Sequence, residues 1–210
     1  MVQWGGEYRP THRRLPRPFG RHGAAVLPSE NGVCSVAAGG AVFNDVHMNG
    51  VDLKGRVSLP AAFRQTIEIR CGSGKVASGL EKTLRMTRHP TLPCIEVSDG
   101  LQIAETEEQM TAHAARMSEQ TGELMGDILD RLEAEAFPLM KDVNFDAAGR
   151  MILPERLRTK ASITGDAFFV GRGRRFRIWS PDILRATPGG ESEEVIEEME
   201  ELLAKRKERG

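Results

Sequence analysis

A chain of 210 residues with 40% hydrophobic but only 5% aromatic content can bury a core, in one domain or two small ones, and that core is expected to be aliphatic. No run approaches the roughly eighteen apolar residues of a membrane span, and the arginine-bearing opening MVQWGGEYRPTHRRLPRPFGRHG runs into no apolar signal core. Three cysteines, Cys34, Cys71 and Cys94, lack C-x-x-C spacing, which speaks against a disulfide framework or a zinc site and points to a reducing cytoplasm.

The formal net charge of −1 conceals a segregation. Bases exceed acids by 3 in residues 1–41, by 3 in 42–98 and by 5 in 145–180, while acids exceed bases by 8 in 99–144 and by 4 in 191–210. The basic stretches after residue 41 carry strand patterns and the acidic ones carry helical patterns. A nucleic-acid partner therefore stays open where the average charge would dismiss it.

Residues 1–41 are rich in Pro, Gly and Arg and show no periodicity, so they are expected to be disordered or to lie outside the working protein. If translation begins at a GTG codon read as Val42, the native chain opens near Phe43. A first unit over 42–98 follows. Val51–Leu53 and Val57–Leu59 read as short strands reversing at Lys54-Gly55, where Gly55 supplies a positive φ. Pro60 opens a short helix through Arg64, and residues 84–87 and 94–97 read as a second strand pair.

A connector over 99–144 contains apolar residues at helical spacing from Thr106 to Ala136 (Met110, Ala114, Met117, Leu124, Ile128, Leu132), which predicts a long amphipathic helix broken near Gly122. A second unit over 145–190 repeats the first: strand, turn at Gly149, strand, Pro154, short helix, then strands at 167–170 and 176–179. Arg64 to Ser98 spans 34 positions and Arg158 to Ser180 spans 22, so the first unit holds an insertion of 12, placed around residues 71–82. Ser180 and Pro181 predict a helix start, and a C-terminal helix at 193–207, within residues 191–210, carries acids early and bases late, as the helix dipole favours.

The duplication is close. VDLKGRVSLPAAFR (51–64) and FDAAGRMILPERLR (145–158), 94 positions apart, share six identities: Asp52/Asp146, Gly55/Gly149, Arg56/Arg150, Leu59/Leu153, Pro60/Pro154 and Arg64/Arg158. The aspartates can serve the turn itself. A solvent-reaching arginine beside a glycine turn, present twice, is a natural phosphate or base contact. Reading Asp52 and Asp146 as paired catalytic carboxylates fails, because neither is followed by Ser or Thr and each half is too short to build a cleft. Gly171–Arg175 joins strand to strand, not strand to helix, so it predicts a basic hairpin tip in place of a dinucleotide cradle. The histidines at 12, 22, 47, 89 and 113 have no helical pairing, so neither a metal nor any other cofactor is expected, and no nucleophile motif occurs.

The two D-x-x-G-R-x-x-x-P-x-x-x-R segments, the FFVG stretch at 168–171 and the FRIW stretch ending at Trp179 resemble the MraZ family of bacterial transcriptional regulators. The resemblance spans roughly Val42 to the C-terminus. It implies an α+β, mainly β fold: two tandem swapped-hairpin units of AbrB/SpoVT type, each with a short helix, joined and followed by amphipathic helices. It further implies a non-enzymatic, sequence-specific DNA-binding regulator, a repressor of its own division and cell-wall gene cluster. Such a regulator binds tandem short repeats in promoter DNA as a ring-shaped homo-oligomer, in the cytoplasm at the nucleoid, without membrane or small-molecule substrate. The DNA contacts it implies are Asp52, Lys54, Arg56 and Arg64 in the first motif and Asp146, Arg150 and Arg158 in the second. Ala148 stands opposite Lys54, which makes the first unit the stronger DNA site, and Arg177, where the family tends to carry an acid, makes the second unit's tip unusually basic. The competing expectation is an oligomeric module of the same fold that binds a protein and no DNA.

Overall fold

The structure, a computed structural model, describes residues 41–72 and 74–208. The expectation for the extension at 1–41 thus falls, Ala41 apart, outside the described residues. In chain order the elements are β1 (Val46–Gly50), β2 (Arg56–Ser58), α1 (Ala61–Cys71), β3 (Thr83–Arg88), β4 (Ile95–Asp99), α2 (Gly100–Thr121), α3 (Met125–Ala136), β5 (Lys141–Asn144), β6 (Arg150–Ile152), α4 (Glu155–Lys160), β7 (Asp166–Arg172), β8 (Arg175–Trp179), α5 (Pro181–Arg185) and α6 (Glu193–Lys207). A single 3-10 turn, Phe137–Leu139, leads into β5.

The leading strand of each repeat starts and ends earlier than its apolar pattern suggests. Val51 and Phe145 are buried but lie beyond β1 and β5, because Asp52 and Asp146 already begin the turns. Pro60 and Pro154 precede α1 and α4, and their carbonyls accept the first helical bonds from Arg64 (3.0 Å) and Arg158 (2.9 Å). The insertion lengthens α1 to 11 residues against 6 in α4, and its remainder forms turns before β3. The long helix starts at Gly100 because the Asp99 carboxylate accepts from the Gln102 amide (2.9 Å) and caps it. It stops at Gly122, whose φ of 74° ends α2 in a left-handed cap, and α3 packs back against α2 with Ala114 and Ile128 buried. Ser180 makes no side-chain cap, contrary to expectation, but its carbonyl accepts from Leu184 (2.9 Å); Ser192 does cap α6.

One antiparallel sheet of six strands, in the order β1-β7-β8-β4-β3-β5, runs through both repeats. Val46 stands opposite Val170, and Leu84 opposite Val143, so each repeat's leading strand lies in the other repeat's half of the sheet. The remaining strands, β2 and β6, pair as a separate two-stranded ribbon. This is the α+β, strand-exchanged fold that the resemblance implies.

Alternate residues of β7 point to two cores. Ala167 and Phe169 join Val57, Leu59, Phe63, Ile67, Met151, Leu153 and Leu157 beneath the ribbon, α1 and α4. Phe168 and Val170 join Trp179, Leu184 and Met199 under α5 and α6. Most of the buried side chains are aliphatic, as the composition implies. Four phenylalanines nonetheless meet at one place: Phe43, Phe63, Phe169 and Phe176 form a cluster with ring centroids 5.0 to 6.4 Å apart. Both repeats contribute to that cluster, so neither encloses it alone.

Candidate nucleic-acid interface

Each D-x-x-G-R turn is built from its own aspartate. Asp52 Oδ1 accepts from the amides of Lys54 (2.9 Å) and Arg56 (2.8 Å), and Oδ2 accepts from Arg56 Nε. Asp146 repeats this with Ala148 (2.9 Å), Arg150 (2.9 Å) and Arg150 Nε (2.7 Å). Gly55 and Gly149, both at φ 79°, close the turns with bonds to the Asp52 and Asp146 carbonyls. The amide of the following arginine, and next its guanidinium, hold both carboxyls below the usual carboxylate range. Each aspartate is thus an ionised member of its own turn, and the two share no proton.

The arginines point outward. Only Nε of each is engaged by its aspartate, and the terminal nitrogens have no protein partner among the described residues. Their side chains are 63% and 74% exposed. The register places Arg56 opposite Ile152 and Ser58 opposite Arg150, so all four share the outer face while Val57 and Met151 face the core. Arg56 and Arg150 are therefore diagonal neighbours on an antiparallel ribbon, with one turn at either end. They border an open groove of about 550 Å³ together with Gly50, Asp52, Ser58 and Ile152. A two-stranded ribbon is an element that the DNA major groove admits.

The turns differ at their tips. Leu53, 93% exposed, and Lys54 project from the first, whereas the second offers only Ala147 and Ala148. Arg64 and Arg158 lie elsewhere. Both are half-buried behind the turns, and each reaches the turn of the other repeat: Arg64 Nη1 donates to the Ala147 carbonyl (3.1 Å), while the Arg158 side chain lies against Gly55.

The hairpin tip at 171–175 is internally neutralised. Arg172 and Arg177 pair with Glu191 (3.1 Å each), Arg174 with Glu105 (3.2 Å) and Arg175 with Glu96 (3.3 Å). The Glu191 carboxylate is fully buried and also accepts from Trp179 Nε1 (3.0 Å). That acid on the segment before α6 is what accommodates Arg177, and no local pattern signals it. Cys71 and Cys94 are free and buried; burial pushes the Cys94 thiol up to about 12, away from a reactive thiolate. No group of three His, Cys, Asp or Glu among the described residues could hold a metal.

Residues 140–187, from β5 through the second turn to α5, match the family model described as "MraZ protein, putative antitoxin-like". The "Transcriptional regulator MraZ" of Gluconacetobacter diazotrophicus is 32% identical over 141 residues, covering 67% of this chain and 80% of that one. Those of Gluconobacter oxydans (35% over 145 residues; 68% and 77%) and Rickettsia peacockii (34% over 142 residues; 67% and 82%) are similar to it in the same way. The chain belongs to the MraZ family. The MraZ family match at 140–187 includes Asp146, Gly149 and Arg150, so the second turn lies within it. Among the described residues no helix is long and apolar enough to cross a membrane.

One consequence for pH concerns His89, whose Nε2 lies 3.0 Å from Arg177 Nη2. Burial, and then the Arg177 charge, lower its pKa below the ordinary value of 6.5. The unfolded chain binds this proton more readily, so the contribution is present above pH ~6.5 and is lost as pH falls through the folded pKa. Thermal melts are expected to shift downward between pH 7.5 and 5.5, and His89→Gln to flatten that slope. An unchanged slope in the variant would show that other groups carry it.

Proposed function

We propose that this chain is a transcription regulator that reads promoter DNA through the two D-x-x-G-R turns of its β2–β6 ribbon. The role of regulator rests on the relatives, which bear that name at 32–35% identity. The DNA target rests on one observation above all. Two arginines, diagonal on an exposed ribbon, are each held at Nε by an aspartate while their terminal nitrogens stay open to solvent. A guanidinium fixed in this way has lost much of its rotamer freedom before binding and can meet a phosphate or a guanine edge with both terminal nitrogens.

Asp52 and Asp146 orient, Arg56 and Arg150 contact, and Lys54 adds a charge at the tip of the first turn. A ribbon with two turns engages little DNA by itself. A ring-shaped homo-oligomer that sets many ribbons against tandem short repeats raises the affinity by avidity. The regulator works at the nucleoid in the cytoplasm, as a repressor of the division and cell-wall gene cluster that contains its own gene.

The test is binding of the full chain to DNA upstream of its own gene across a salt series. The logarithm of the affinity is expected to fall linearly with the logarithm of salt concentration, by about 0.9 per phosphate contacted, and to require more than one repeat in the DNA. Salt-independent or absent binding by the assembled oligomer would replace this reading with the protein-binding module.

A further inference from the structure

We infer that Arg64 and Arg158 are positioning residues acting between the repeats: Arg64 braces the turn that carries Arg150, and Arg158 braces the turn that carries Arg56. The inference rests on the DNA reading only for its functional consequence; the bracing itself is a matter of geometry.

The pairing of β2 with β6 brings each turn against the other repeat. Leu59 donates its amide to the Gly149 carbonyl (2.7 Å), and Leu153 donates to the Gly55 carbonyl (2.9 Å). Pro60 and Pro154 then start helices whose first turns carry Arg64 and Arg158 back toward those same glycines. The Arg64 stem lies so close to Gly149 that a Cβ there would stand 2.5 Å from Cδ and 2.9 Å from Nε. A Cβ on Gly55 would stand 3.3 Å from Arg158 Nε and 3.6 Å from its Cδ. Gly149 is therefore needed twice, once for its positive φ and once for the space its missing side chain leaves to Arg64, while Gly55 is needed for its positive φ and lies against Arg158.

Neither arginine has an acidic partner among the described residues, and the Nε atom of each is buried without an acceptor. The arrangement makes sense for a strut, with the stem packed on a glycine and, for Arg64, a terminal nitrogen on the Ala147 carbonyl at the tip of the second turn. Two open guanidiniums then project from turns that neither repeat completes alone.

Amide hydrogen exchange in the full chain without DNA tests the bracing. Arg64→Ala is expected to speed exchange at the Ala148 and Arg150 amides about tenfold, the effect of losing roughly one hydrogen bond's worth of restraint, and to leave Lys54 and Arg56 unchanged. Arg158→Ala is expected to do the reverse. Arg64→Met retains the apolar stem and the fold, and is expected to show the same pattern at smaller size. Exchange that rises equally in both turns, or only in the variant's own repeat, overturns the inference.

Double mutants then read the functional side. The losses in DNA affinity from Arg64→Ala and Arg150→Ala are expected not to multiply, while those from Arg64→Ala and Arg56→Ala do multiply. A salt slope lowered by Arg64→Ala, with losses that multiply alongside Arg150→Ala, would make Arg64 a direct phosphate contact and overturn the strut. Absence of DNA binding by the unmodified chain would sink the DNA reading, and the exchange result would still decide the strut.

Discussion

Asp99→Ala is expected to cost about 3–5 kcal/mol of folding stability, the range for removing one partner of a buried ion pair. The Asp99 carboxylate is fully buried at the end of β4, and it accepts from Arg70 Nε and from Arg70 Nη2 (3.3 Å). It also accepts from the Gln102 amide (2.9 Å) and so caps α2. Arg70 is buried as well, its guanidinium 5.8 Å from the Phe43 ring centre and its Nη1 donating to the Ala41 carbonyl (3.1 Å). Loss of the carboxylate leaves a guanidinium inside the protein without a counter-charge and an amide of the first turn of α2 unsatisfied. Asp99→Asn keeps the cap and is expected to lose less. Urea unfolding at fixed protomer concentration would measure both, read from the midpoint at constant m. A loss under about 1 kcal/mol for Asp99→Ala would mean that water reaches Arg70 and that the pair is not an anchor of the fold.

The second large effect falls on DNA binding. With the ribbon contacting DNA as proposed, Arg56→Ala removes a contact worth about 1–3 kcal/mol at one turn, and an oligomer engaging several turns would multiply that loss. The expected result is a drop of at least about 100-fold in affinity for repeat-bearing DNA, with a shallower salt dependence. Arg150→Ala is expected to lose less, because the tip of its turn presents Ala147 and Ala148 where the first presents Leu53 and Lys54. Arg56→Lys retains a charge but neither the two-pronged geometry nor the Nε that Asp52 holds, so it is expected to restore only part of the loss. A drop of under about threefold for Arg56→Ala would separate the ribbon from the DNA. Circular dichroism and oligomer size should be unchanged in these variants, since both arginines are exposed and each side chain bonds only within its own turn.

The turns were legible in the sequence because their geometry is local. Asp52 and Arg56 are four residues apart, Gly55 lies between them, and the same spacing recurs at 146–150; side chains that close meet whatever surrounds them. The break at Gly122 and the β7–β8 hairpin were legible for the same reason, whereas Ser180, read as a cap, makes no side-chain cap and Ser192 caps α6 instead. The phenylalanine cluster was not legible, because a percentage says how many aromatics a chain has and not that four of its phenylalanines meet. The basic tip was misjudged: Glu191 is 14 residues from Arg177, and nothing in the local pattern joins them.

What the sequence alone determined is thus the set of elements: two copies of a turn that orients an arginine, each followed by a proline-started helix, and acidic helices between and after them. Tertiary structure alone decided which copy completes which. Val46 pairs with Val170, Val57 with Met151, and Arg64 reaches Ala147, across 83 residues or more. Alternation of apolar and polar residues says which face of a strand is buried but not which strand lies beside it, since many antiparallel registers bury the same faces. The choice was settled by burial: short units cannot close a core alone, and exchanging the leading strands lets both copies enclose Phe43, Phe63, Phe169 and Phe176 while the ribbon's arginines remain in solvent.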